Sequence, residues 1–334
     1  MEGRRADRKV VGLEQVVASV EAEMARVDRF LQERLRPGKP ELLPLLEHAA
    51  RFKGKRLRPA QVLLAGKALG GITEDHTKVA AVVELIHTAT LVHDDILDDA
   101  TLRRKLPTLH TLYGIEASLL LGDYIYAVAF TVSTSLEDQT CSQVLGEVTR
   151  TVCQGEISQV LFKGKTDLTE EDYLEIIGAK TASLYGAACE LGAHYAGAPG
   201  EIRERFRNYG YNLGLAFQVV DDCLDLAGDE GKVGKTLGSD VAKGKMTLPL
   251  IRVFQGAGEE GRKELERLFR DVPPGERRRI LEERFDLARG VAYAREKARR
   301  FARAGLDALE NLEGEKSSME ALRRMASFVL DREW

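Results

Sequence analysis

"LVHDDILDDATLRR", residues 91–104, places four aspartates within six positions, and two arginines follow. The run before them, from Val79 to Leu97, is apolar on most sides. A helix of that kind belongs in the middle of a bundle, not on its surface. Asp94, Asp95 and Asp98 form D-D-x-x-D. On a helix Asp94 and Asp98 stack on one face, with Asp95 one step round. Like charges within one turn repel, and burying them unpaired costs more still. Either the helix end is solvated or something cationic sits there.

The chain uses the device twice. "FQVVDDCLDLAG" (217–228) closes a second long helical run with Asp221, Asp222 and Asp225 in the same spacing. Two such clusters on two core helices predict facing carboxylates around a shared cavity. Oxygen-only ligands suit Mg²⁺, which keeps waters and bridges substrate phosphates. Phosphate calls for cations, and the sequence has them in several places. "KGKRLRP" (53–59) supplies Lys55 and Arg58; Arg103 and Arg104 follow the first aspartates. Lys180 and Thr181 interrupt a small, apolar helix, and Lys235 and Lys245 lie in the glycine-bearing stretch after the second cluster. Singly, each reads as a solvated surface charge. Together they read as two anion sites flanking a metal cluster.

The rest of the chain is helical in pattern. Residues 13–35, 72–99, 168–197 and 201–228 carry apolar residues at helical spacing, and 247–334 reads as shorter, charged amphipathic helices. Thr73 or Asp75 is a candidate N-cap for the second run, and Thr169-x-x-Asp172 is a capping box for the third. Nine prolines in 334 residues, and no clean two-residue alternation, predict one all-α domain over 1–334. The helices near 79–99 and 203–227 should be central. The net charge of −4 gives no bulk reason to bind nucleic acid.

Cys141, Cys153, Cys189 and Cys223 form no C-x-x-C pair and read as reduced, buried thiols of a cytoplasmic protein. "MEGRRADRKV" has no apolar segment behind it, which argues against a secretory signal. "YIYAVAFTVSTSL" (124–136) falls short of the ~20 residues of a spanning helix. "GAGEEG" (256–261) matches G-x-G-x-x-G without a βαβ setting and reads as a helix–helix junction. Glu84 and His87 form a single Glu-x-x-His, where a di-iron bundle needs two.

The chain resembles the trans-polyprenyl diphosphate synthases, and among them the long-chain, octaprenyl-type members. The matching stretches are "GKRLRP", "ELIHTATLVHDDILDD", "RR", "GDYIYAVAF", "GEISQ", "KTASL", "AFQVVDDCLD" and "GKTLGSDVAKGKMTLPL", across about 54–250. The resemblance implies a single helical bundle of the isoprenoid synthase type with a central cavity, acting as a homodimer. It implies that Asp94, Asp95, Asp98, Asp221, Asp222 and Asp225 bind Mg²⁺, three ions, with Mn²⁺ an alternative. Arg103, Lys180 and Lys235 would hold the allylic diphosphate, with Thr181, Gln218 and Lys245 alongside. Gly54, Lys55, Arg58, His87 and Arg104 would bind isopentenyl diphosphate. The family usually has Gly after the paired arginines, and here Lys105 stands there.

Ile86, Ala89 and Thr90 lie one to two turns before Asp94. Family members that stop at farnesyl carry bulky aromatics matching Ala89 and Thr90. The small residues here imply a tunnel open past that level and a long product. The alternatives are a farnesyl or geranylgeranyl diphosphate synthase, a subunit of a heterodimeric prenyl synthase, and a class I terpene cyclase. The intact second aspartate cluster argues against the cyclase, and the full set of basic residues against a non-catalytic subunit.

Overall fold

The computed structural model of the chain describes residues 12–52, 54–228 and 238–332. The N-terminal run divides into α1 (Leu13–Val17) and α2 (Glu21–Arg34), with a 3₁₀ turn at Ala18–Val20. This corrects the expectation of one helix over 13–35. At the break the Ser19 carbonyl accepts a hydrogen bond from Lys67 Nζ of α4 (Leu57–Leu69). Both Val16 and Val20 remain fully buried.

α3 (Leu43–Arg51) precedes α4, and α5 (Glu74–Leu97) carries the first aspartates. Thr73 is its N-cap: its backbone N–H donates to His76 Nδ1 at 3.1 Å. The other ring nitrogen, Nε2, then carries the proton and donates to the Gly192 carbonyl at 3.0 Å. Val79, Ala80, Ala81, Val82 and Val83 all have no exposure, as a central helix requires.

A two-stranded hairpin follows, Leu102–Arg103 paired antiparallel with Leu106–Pro107. Its turn residues Arg104 and Lys105 have φ of 51° and 65°. A tight hairpin turn favours positive φ at both central positions. That explains why a glycine suits the place of Lys105, and the turn forms here without it.

α6 (Leu109–Tyr113), α7 (Ile115–Thr134) and α8 (Thr140–Phe162) come next. α9 (Glu170–Ile177) passes through a π-helical segment, Gly178–Ala182, into α10 (Ser183–Tyr195), and α11 (Gly200–Ala227) carries the second aspartates. The capping box at Thr169 is present, with Asp172 N–H donating to Thr169 Oγ1 at 3.1 Å. α10 and α11 touch at Gly210, where a Cβ would lie 2.3 Å from the Tyr185 carbonyl oxygen.

The remaining chain forms α12 (Ser239–Ala242), α13 (Leu248–Gly256), α14 (Gly258–Asp271), α15 (Pro274–Arg284), α16 (Leu287–Ala308) and α17 (Lys316–Asp331). "GAGEEG" is the α13–α14 junction. One buried apolar cluster runs from Val16 to Val329.

One further expectation is corrected. Cys153 is exposed, while Cys141, Cys189 and Cys223 are buried. The apolar stretch at 124–136 lies within α7, whose 20 residues, with mean hydropathy 1.4, pass the length and composition of a spanning helix. One third of that stretch is buried inside the fold.

Candidate active site

The carboxylates at the end of α5 meet three different fates. Asp94 lies 3.7 Å from Lys180 Nζ, which also reaches Glu156 of α8 at 2.6 Å. Asp95 is buried and is gripped by Arg103, whose Nε lies 2.9 Å from both carboxylate oxygens. Asp98 receives Lys245 at 3.0 Å and Lys243 at 3.3 Å. Burial raises the Asp98 carboxyl, but the two lysines more than offset it and hold it below the ordinary carboxylate range. A cavity of about 130 Å³ opens here, between Asp94, Asp98, Glu156, Lys163, Lys180 and Lys245.

Lys180 stands in the π-helical segment, where an extra residue in the turn re-aims the side chains. Gly155 of α8 makes room for that bulge: a Cβ there would lie 2.9 Å from the backbone nitrogen of Lys180. From the same segment Thr181 Oγ1 donates to Gln218 Oε1 at 3.0 Å. Gln218 Nε2 in turn donates to Asp222 at 2.8 Å, and the Tyr173 hydroxyl donates to the other Asp222 oxygen at 2.5 Å. Burial and neighbouring Asp240 push the Asp222 carboxyl up to about 8. Asp225 is buried and accepts from Ser239 Oγ at 2.9 Å and the Asp240 N–H at 3.0 Å. Asp221 is the most open of the three and lies 3.6 Å from Arg332.

The two clusters are linked through Lys245, which bonds Asp98 and lies 3.9 Å from Asp240. Among the described residues, no three His, Cys, Asp or Glu side chains converge closely enough to hold a metal. Lys180, Lys243 and Lys245 stand beside the first cluster. The donor set still fits Mg²⁺: all donors are oxygens, and Asp94, Asp98 and Asp221 keep open faces now neutralised by ammonium or guanidinium groups. Asp95, Asp222 and Asp225 are committed to Arg103, Tyr173 and Ser239.

The basic residues expected to form a second anion site make the following contacts. Gly54 lies against Arg104, where a Cβ would come within 2.7 Å of the guanidinium, and Arg104 donates to the Phe52 carbonyl. Arg58 packs over the Tyr185 ring at 4.3 Å, and Lys55 over Phe328 at 5.3 Å. Burial, with Arg332 and Arg104 nearby and Asp221 opposing, lowers Lys55 to about 8. Lys235 lies outside the described residues.

Sequence reasoning missed several participants. Glu156 and Lys243 stood inside quoted motifs without a role, and Tyr173 and Lys163 carried no signal. Arg332 is buried, stacks 3.7 Å over Phe217 and reaches Asp221 from the far end of the chain. The Tyr126 ring lies 5.9 Å from His93 and 6.5 Å from Phe130, making an aromatic wall on α7 beside the first aspartates. Ile86 and Ala89 have no exposure at all, and the half-buried Thr90 donates its hydroxyl to the His87 carbonyl at 2.7 Å. Ile86 and Ala89 thus present no surface to water in this structure, and Thr90 presents part of its own.

His87 gives a pH signature. Burial, then Arg58, Arg103, Arg104 and Arg56, hold its imidazole well below the ordinary 6.5. The neutral ring takes up a proton on unfolding below that pH. The unfolded chain then binds more protons, so stability from this group falls as pH drops, by up to about 1.4 kcal/mol per pH unit. Glu156, pushed up to about 7 by burial and Asp94, acts with the opposite sign, as does Asp222. The difference between wild-type and His87→Gln isolates the histidine. The wild-type melting midpoint should drop more steeply from pH 7 to 5.5, and parallel profiles would remove this account.

Known proteins share the sequence pattern and the fold of this chain. The polyprenyl synthetase family profile matches residues 39–283. A short chain isoprenyl diphosphate synthase of Methanothermobacter thermautotrophicus is 38% identical over 93% of this chain and 96% of its own. The octaprenyl diphosphate synthase of Escherichia coli is 33% identical over 97% of this chain and 100% of its own. The crystal structure of a polyprenyl synthase from Caulobacter crescentus, complexed with calcium and isoprenyl diphosphate, superposes with a TM-score of 0.90 at 33% identity. That superposition covers 98% of this chain and 100% of the other.

Proposed function

Because the chain belongs to the polyprenyl synthetase family and is a prenyltransferase, we propose that it joins isopentenyl diphosphate head-to-tail to an allylic diphosphate. We further propose Mg²⁺ as its metal and a long, octaprenyl-like all-trans product. The observation that best supports the reaction is the pairing of Lys180 with Asp94 and of Lys245 with Asp98, with Lys55 close enough to Asp221 to feel its charge.

In this reading Asp94, Asp98 and Asp221 hold the metal, which stabilises charge on the leaving diphosphate. Lys180 and Lys245, released from Glu156 and Asp98, bind its oxygens. Arg103 and Gln218 keep Asp95 and Asp222 oriented. The allylic C–O bond breaks, the alkene of isopentenyl diphosphate attacks the cation, and a proton leaves to the released diphosphate. No side chain of the aspartate clusters is needed as the base. The reaction runs on diphosphates in the cytoplasm.

The test is incubation of the purified chain with isopentenyl diphosphate, farnesyl diphosphate and Mg²⁺, followed by product extraction. Products longer than geranylgeranyl diphosphate are expected. No product would remove the reaction, and products ending at geranylgeranyl would remove only the long-chain part. A shorter product is the second reading, favoured by the complete burial of Ile86 and Ala89 and by the Tyr126–Phe130 stack.

A homodimer completes the proposal. Ile115, Leu119 and Leu120 of α7 and Ile157, Val160 and Leu161 of α8 are exposed apolar residues. Glu116 and Asp123 are the only charged residues of α7, which suits a second protein surface better than an anionic lipid. Leu120→Asp should shift the chain from dimer to monomer in sedimentation. An unchanged mass would mean that α7 is not the interface.

A further inference from the structure

Glu84 is a buried carboxylate that the proposed chemistry does not use. It lies on α5 one turn before His87, and only 6% of it is exposed. Its Oε1 lies 3.3 Å from Arg56 Nη1, and the other terminal nitrogen of Arg56 lies 3.2 Å from Asp28 of α2. Arg56 is the N-cap of α4 and has φ of 51°, in the left-handed region. A non-glycine residue there costs of order 1–2 kcal/mol and persists when its surroundings hold it. Here the holders are two carboxylates from two other helices. Lys55 and Arg58 lie on either side of this reversal, and both turn toward aromatic rings at the anion site while Arg56 turns inward. Burial pushes the Glu84 carboxyl up, and Arg56, Arg58 and Arg104 pull against that.

We propose that Glu84 is a positioning residue for isopentenyl diphosphate: by anchoring Arg56 it fixes the chain reversal that sets Lys55 and Arg58 in one anion pocket. The inference rests on the proposed condensation and adds a residue that touches no substrate. Arg56, despite its place in a basic motif, is an internal strut and not a phosphate ligand.

Calorimetric titration with isopentenyl diphosphate tests this on the full chain, using Glu84→Gln, Arg56→Asn and the double variant. Asparagine tolerates the left-handed region better than most residues, so Arg56→Asn removes the ion pair while easing the backbone. Each single variant should bind roughly 10-fold more weakly, the scale of losing a charged hydrogen bond. The double variant should be no weaker than the worse single. The KM for isopentenyl diphosphate should rise while that for the allylic primer holds. Wild-type affinity in either single variant, additive losses in the double, or equal rises in both KM values would overturn the proposal. If Glu84→Gln does not fold, Arg56→Asn alone decides. Failure of the wild-type chain to bind isopentenyl diphosphate would instead overturn the functional reading beneath it.

Discussion

Asp94→Ala should lower kcat by ~100-fold or more, the cost of removing one electrostatic stabiliser of a departing anion. Asp94 lies at the 130 Å³ cavity, 3.7 Å from Lys180. Without it Lys180 keeps its ion pair with Glu156, and a metal loses an open oxygen donor. Asp221→Ala should behave alike. Removing the metal with excess EDTA should abolish turnover in the wild-type chain. Arg58→Ala should mainly raise the KM for isopentenyl diphosphate, because it acts through ground-state binding. Steady-state kinetics with each substrate varied in turn would separate the cases. Full turnover in EDTA, or one kinetic signature for Asp94→Ala and Arg58→Ala alike, would overturn the two-site assignment.

Ala89→Phe should shorten the product to farnesyl or geranylgeranyl length while condensation continues. Ala89 is five residues before Asp94, about 7.5 Å along the helix axis. A growing chain that starts at the metal passes this level after its first units. Ala89 is fully buried in the present packing, so a long product requires the side chains around it to part. A phenyl group would fill that space permanently. Overpacking a tight core costs typically 1–3 kcal/mol, so the melting midpoint is measured alongside chain length. A folded, active Ala89→Phe enzyme that still made the wild-type length would show that the product does not run along this face of α5. The Tyr126–Phe130 wall on α7 would then be the next boundary to vary.

Helix periods and caps were legible because they depend on neighbours within a few positions. Thr73, Thr169 and the spacing of Val79 to Leu97 needed only local rules. The break at Ala18–Val20 was not legible, since its partner Lys67 arrives from another helix. The turn at Lys105 was legible in part: the missing glycine marked the position, and the structure shows the positive φ that a glycine would have suited.

The sequence by itself determined the all-α fold, the two aspartate clusters, and the grouping of basic residues near them. Repeated D-D-x-x-D on apolar helices leaves few physical options, because buried like charges demand cations. Only the tertiary structure decided which carboxylates remain open. Asp95 goes to Arg103, Asp222 to Tyr173 and Asp225 to Ser239, while Asp94 and Asp98 stay at the cavity. Lys245 meets Asp98 across 147 residues, and Arg332 reaches the Phe217 carbonyl across 115. Spacing within one helix places a side chain on a face, but its partner is set by which helix packs there.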